Sequence, residues 1–182
     1  MPTNLLLALL VLSPAVVERV LAVVGGRPVL LSETRTLQEV RGVARAAALD
    51  LMVDETLMYE QASRTPQAAV SAPEVESARE ALYEKRPDLR SEVARADLTR
   101  LLKRQLSILK YVDFRFRPQV RPTDGEVQRA YAEEQGSRPD APAFDTVAEA
   151  LRDRLVRRQL DLKVEAWIKE LRAATEIRLV SP

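Results

Sequence analysis

Residues 21–33 read LAVVGGRPVLLSE, and residues 175–180, near the other end of the 182-residue chain, read TEIRLV. The first stretch is two short Val-rich runs, 20–24 and 28–31, around Gly25-Gly26. Paired glycines accept positive φ at little steric cost, as a tight hairpin turn demands. Pro28 lacks an N–H, so the second run starts a strand there or lies at a sheet edge. Two strands alone are marginal in water. TEIRLV supplies a third: Ile177 and Leu179 alternate with Glu176 and Arg178, as in a half-buried strand. The sequence therefore predicts a small sheet closed from both termini, with 175–180 beside 20–24 and helices covering one face.

Everything between these strands reads as helix. Ser32 is a candidate N-cap for a helix over 33–43, with Glu33 in the first turn, where the helix dipole favours negative charge, and Gly42 weakening the end. Leu49, Met52, Val53 and Leu57 recur at helical spacing and predict a second helix over 46–64, stopped by Thr65-Pro66. Ser71 and Glu74 form a capping-box pair, with Pro73 in the first turn, opening a helix that runs to about Lys85. A short helix is expected over 88–94. From Asp97 onward Leu98, Leu101, Leu102, Leu109 and Val112 make one apolar stripe, broken by Pro118 and Pro122. Thr123 and Glu126 form a second box pair. After a polar loop over 135–143, residues 144–172 predict one long helix.

Composition narrows the function classes. Hydrophobic residues are 46% and charged residues 30%, ordinary for a folded domain. With 5 glycines, a sandwich or barrel built on many tight turns is disfavoured. Net charge is +1, without the basic excess of a phosphate-neutralising protein. There is no Cys and no His. That removes thiol nucleophiles, disulfides, thiolate or imidazole metal sites and a histidine general base. No nucleotide-binding glycine pattern surrounds Gly25-Gly26. No cofactor is expected.

Residues 1–15, MPTNLLLALLVLSPA, differ from the rest. The run from Leu5 to Leu12 is too short to span a bilayer but suits a secretory h-region, and Ser13-Pro14-Ala15 places small residues at a cleavage site after Ala15. The absence of Lys or Arg in MPTN leaves a buried first segment as the alternative. The expectation is a signal peptide over 1–15 and a single domain over 16–182.

Candidate chemistry is sparse. Asp54-Glu55, Glu133-Glu134 and Asp88 with Glu92 are carboxylate pairs that could work as acid and base, but charged helix faces explain them better. Arg152, Arg154, Arg157 and Arg158 could form a nucleic-acid stripe. Interleaved acids and the lack of an aromatic platform speak against it, and no nucleic-acid partner is expected. In KYVDFRFRP, Tyr111, Phe114 and Phe116 cluster at a helix end, and alternation with Arg115 and Arg117 predicts that not all three rings are buried. With Met58 and Tyr59 they are the candidate peptide-binding residues, since exposed Met and aromatic side chains make an adaptable apolar surface.

Several segments then resemble SurA-type periplasmic chaperones. VERVLAVVGGRPVLLSE, residues 17–33, is similar to the strand–turn–strand that opens the mature family chain. MVDETLMYEQA, residues 52–62, resembles the family's Leu-Ile-Asp-Glu-x-Leu-Leu-x-x-Glu-Ala helix, matching at Asp54, Glu55, Leu57 and Ala62. VSAPEVESA, residues 70–78, and VRPTDGEVQRAYAEE, residues 120–134, resemble the next two signatures. The closing helix and TEIRLV look like the family's last elements.

The resemblance implies a mainly α fold: a helical SurA-like chaperone body with a small sheet from an N-terminal hairpin and a C-terminal strand. It also implies an ATP-independent periplasmic holdase for unfolded envelope or outer-membrane proteins. One departure is large. Family members usually carry a parvulin prolyl-isomerase domain where this chain has only the loop 135–143, too short for a domain of about 50 residues. Isomerase activity is not carried over, and the chain is not expected to be an enzyme. The alternative is a non-catalytic helical assembly module of the envelope, including a homodimer made by exchange of N-terminal elements. Neither reading includes a stable membrane anchor.

Overall fold

The computed structural model describes residues 18–135, 138 and 141–180. The expected signal segment 1–15 lies outside them, as does most of the interior of the 135–143 loop. Among the described residues the protein is mostly helical, with seven α-helices and one three-stranded antiparallel sheet. The chain runs β1 (Val20–Val24), β2 (Arg27–Leu30), α1 (Leu31–Arg41), α2 (Arg45–Ala62), α3 (Ala72–Lys85), α4 (Leu89–Glu92), α5 (Arg95–Arg115), α6 (Asp124–Gln135), α7 (Phe144–Ala174) and β3 (Ile177–Leu179). Single 3-10 turns sit at Pro66–Ala68 and Arg117–Gln119.

The sheet has the order β2-β1-β3, so the last strand of the chain lies beside the first. The hairpin turn puts both glycines at positive φ, 55° at Gly25 and 82° at Gly26. A Cβ on Gly25 would also stand 3.1 Å from the Thr175 methyl, so that glycine is fixed both by the turn and by the approach of β3. Val24 faces Ile177 and Ala22 faces Leu179. The inner face buries Ala22, Val24 and Val29 against Leu37, Met52, Val53, Leu57 and Leu101 of the helices. Fully burying a side chain such as Leu37 or Met52 contributes about 1.5–3 kcal/mol, which is what two isolated strands lack.

Helix α1 starts earlier than the sequence indicates. Its N-cap is Leu30, not Ser32. Glu33 thereby falls at the third helical position, and its carboxylate accepts the Leu30 N–H at 3.2 Å. Ser32 instead ties the helix to the segment ahead of β1, since its backbone N–H and its hydroxyl both donate to Glu18. These bonds, the hydroxyl's first, hold the Glu18 carboxyl below its ordinary range. Helix α1 ends at Gly42 in the left-handed region, φ 64°, a helix C-cap that glycine favours.

Both predicted capping boxes form. The Ser71 N–H and hydroxyl each donate to Glu74 at 2.8 Å. The Thr123 N–H and hydroxyl donate to Glu126, whose own N–H returns to the hydroxyl at 3.3 Å. Helix α5 departs from its pattern. Leu98 and Leu102 pack with Val75, Tyr83, Leu89 and Val93, but Leu109, on the same stripe, is 57% exposed. The reason is a change of neighbours along α5. Its first half rests on α3. Its second half turns Ser107, Ile108 and Tyr111 toward the 66–68 turn and α7, so the buried face rotates away from Leu109.

Candidate functional site

The candidate residues fall where α2 ends, the 66–68 turn crosses α5, and α7 passes behind. Helix α5 holds the turn by two side chains one helical turn apart. Ser107 Oγ donates to the Ala68 carbonyl at 2.9 Å, and Lys110 Nζ donates to the Ala69 carbonyl at 2.8 Å. Ala68 is fully buried beneath them. Lys110 also pairs with Glu74, tying the start of α3 to the same place. That bond, followed by those from Ser71, draws the Glu74 carboxyl down to about 2.

Four of the five sequence-derived residues come together here. Tyr111 and Phe116 are buried, with half-buried Met58 and Tyr59 packed against the same cluster. Its centre is Trp167 of α7, the only tryptophan. Its ring stacks on Tyr111 at 5.1 Å and tilts against Phe116 at 5.3 Å. Phe114 is not part of the cluster. It projects from the end of α5 with 52% of its surface exposed. So the alternation of rings with arginines in 111–117 does split them, and Tyr111 and Phe116 serve first as core.

Beside the cluster lies an open cleft of about 390 Å³, bordered by Tyr59, Pro66, Ala69, Val70, Lys103 and Ser107. Tyr59 belongs to both, with one part against the aromatic cluster and one part on the cleft wall. The Arg104 guanidinium stands 5.8 Å from the centre of its ring and forms an ion pair with Glu33. The cleft mixes apolar side chains with backbone and hydroxyl groups, and Lys103 is a cation at its border. Such a surface can bind by contact and hydrogen bonding without dedicating a group to chemistry. A second cleft, about 260 Å³, separates α6 from α7 over Leu151 and Leu155.

The expected carboxylate pairs resolve differently from one another. Asp54 Oδ1 accepts from Arg172 Nε at 2.5 Å. Asp88 pairs with Arg86 and Glu134 with Arg154. Glu55, read from the sequence as surface charge, is instead 8% exposed. One of its oxygens accepts from Gln105 at 2.8 Å, and the other is buried with no partner. Removal from water pushes its carboxyl up, against the smaller pull of Gln105, Arg104 and Arg41. The basic run on α7 clamps α6 in part: Arg152 reaches Asp124 and Glu149, and Arg154 reaches Glu134. Among the described residues no group of three or more acids could hold a metal ion, and no helix is long and apolar enough to cross a membrane.

Trp167 is the site residue that the sequence reading did not single out. Its signal was its place on an apolar stripe with Leu160, Val164 and Leu171, but its ring partners lie some fifty residues away, at Tyr111 on α5 and Phe116 just past its end, and no local pattern marks them. No family model matches this chain, and no curated protein matches it.

Proposed function

We propose that this protein is an ATP-independent holdase that retains extended segments of unfolded envelope proteins in the cleft between the end of α2, the 66–68 turn and α5. The observation that carries this reading is the double role of Tyr59. It packs on the buried Tyr111–Trp167–Phe116 cluster and lines an open cleft of about 390 Å³, within the range of recognised binding clefts. A buried aromatic base with a mixed, open rim fits many side chains moderately and none tightly. Apolar burial there gains about 25 cal/mol per Å², and ordering a disordered client returns several kcal/mol of it. The balance is moderate affinity and release without hydrolysis.

The resemblance to SurA-type chaperones supports the same reading and adds its setting, a periplasm reached by way of the 1–15 signal. The chain corresponds to the chaperone body of that family without its isomerase. Photo-cross-linking tests the location. A photoreactive residue at Ala69 or Lys103, both exposed on the cleft border, should capture a urea-unfolded outer-membrane β-barrel protein on dilution, and one at Glu149 should not. Equal capture at all three positions would remove the cleft from the account.

A second reading, a helical assembly module, draws on α7. Of its 31 residues only Leu151 and Trp167 are buried, and Leu162 is 56% exposed. That reading requires a stable oligomer. Light scattering coupled to size exclusion separates the two: a monomer that binds unfolded protein favours the holdase, and a stable dimer without client binding favours the module.

A further inference from the structure

The two edges of the sheet are finished differently. On β2 the residues whose backbone groups turn away from β1 are Pro28 and Leu30, because the hairpin closes at the Val24–Arg27 pair and Leu31 N–H bonds back to Arg19. Pro28 has no N–H. The Leu30 N–H is taken by Glu33, and the Leu30 carbonyl by the Thr34 hydroxyl at 3.0 Å. The β2 edge therefore has no donor left to offer, which is how proteins commonly blunt an edge strand.

The β3 edge is open. Gly25 N–H bonds to the Glu176 carbonyl and Val180 N–H to the Leu21 carbonyl, with Val23 opposite Arg178. Residues 176, 178 and 180 thus face β1, and the N–H and C=O of Ile177 and Leu179 point outward. Among the described residues these outward N–H groups have no hydrogen-bond partner. The side chains beside them are apolar and uncovered, with Leu179 65% and Val180 41% exposed.

We propose that the outer edge of β3 receives an extended segment of an unfolded polypeptide as a fourth strand. This deepens the holdase reading and rests on it for the source of the strand. The occupant follows from the size and charge of the edge. A strand of three residues offers far less than the roughly 800 Å² per partner that a stable dimer buries, so a second copy is a poor match. A passing extended chain needs only backbone hydrogen bonds and pockets for alternate side chains. Segments with apolar residues at every second position fit, because one face of the added strand would continue the apolar row of Ile177 and Leu179. Glu176 and Arg178 carry opposite charges, so the edge admits segments of either sign.

The test is residue-resolved hydrogen exchange by NMR on the full chain. The probe is a twelve-residue peptide of alternating valine and threonine, beside the same peptide N-methylated at alternate amides. The plain peptide should slow exchange at Ile177 and Leu179 at least tenfold, and the methylated one should not. Leu179→Pro should abolish the response while leaving the melting temperature within a few degrees, since that N–H is outside the β1–β3 ladder. No slowing at saturating peptide overturns the proposal. So does protection without peptide, whether it accompanies a dimer in sedimentation or disappears when residues 1–15 are removed. If the edge stays unresponsive while the protein still suppresses aggregation, only the edge proposal fails. If the edge responds but aggregation is unchanged, the cleft reading fails and the edge stands.

Discussion

Arg172 Nε donates to Asp54 Oδ1 at 2.5 Å, joining the last turn of α7 to the middle of α2 across 118 residues of sequence. A second guanidinium nitrogen reaches Asp50 Oδ1 at 2.7 Å and the Asp50 carbonyl at 3.2 Å. The Asp54 bond first, then Asp50, raises the affinity of the guanidinium for its proton. This clamp sits immediately before β3 and delivers that strand to β1.

Arg172→Gln should therefore loosen the C-terminal end. The pair is part-exposed, so we expect a loss of about 1–2 kcal/mol, at the lower end for charged hydrogen bonds. Urea denaturation gives the value. A double-mutant cycle with Asp54→Asn should show coupling well above about 0.5 kcal/mol, and additive losses would mean that the clamp is incidental.

Removing residues 175–182 should destabilise the helical body as well as the sheet, because Ile177 packs on the cluster that holds Leu37, Met52 and Leu57. A chain beginning at Val16 should melt like the full chain, as the signal reading of 1–15 requires. Equal losses in the two truncations would contradict the picture of a sheet closed from both termini.

Glu55 gives the pH dependence an unusual upper limb. Its folded carboxyl titrates above the ordinary value of 4.5 because of burial. Between that raised value and 4.5 the native state holds a proton that the unfolded chain lacks, so stability rises as pH falls. Arg104 on α5, Arg41 and Glu33 on α1, and Gln105 are the groups that face it. Glu74 works in the opposite sense. Depressed to about 2, it contributes stability above 4.5 that is lost as pH falls toward 2. Glu55→Gln should remove the upper limb and leave the acid limb, because an amide does not titrate and its oxygen can still accept from Gln105. Melting curves from about pH 3 to pH 8 would show it; an unchanged upper limb would refute it.

Ser71→Ala removes the hydroxyl, one of three donors on Glu74, and should cost about 1 kcal/mol, the usual worth of an N-cap. Thermal denaturation checks the value, and a loss near zero would show that Lys110 and the backbone N–H at position 71 hold Glu74 in place without the hydroxyl.

What the sequence discloses here is what short spans of chain determine. Gly25-Gly26 and the alternation in TEIRLV define the sheet, and Ser71-Glu74 and Thr123-Glu126 define helix starts, because each acts within a few residues. The misread features depend on partners far away. Ser32 is a good N-cap by type, but Glu33 reaches the Leu30 N–H and Glu18 occupies Ser32, so the helix begins sooner. Glu55 looks like surface charge until α5 brings Gln105 over it. Leu109 sits on the apolar stripe of α5 and is still exposed, because α5 changes neighbours halfway. Of the site, the aromatic cluster was legible in part: Met58, Tyr59, Tyr111 and Phe116 converge on Trp167, whose place on the apolar stripe of α7 with Leu160, Val164 and Leu171 marks it as inward-facing but not which rings it meets. The cleft lies where Ser107 and Lys110 of α5 hydrogen-bond the Ala68 and Ala69 carbonyls, a pairing of residues some forty positions apart that no local pattern marks.

The central claim is client retention in that cleft. Light scattering after dilution of a urea-unfolded outer-membrane β-barrel protein tests it directly, with the wild-type chain and with Ala69→Trp, which fills the cleft from an exposed position. The account predicts that a few-fold molar excess of wild type slows aggregation several-fold and that Ala69→Trp, folded by circular dichroism, loses most of that effect. Aggregation at the same rate with and without the wild-type protein would contradict it.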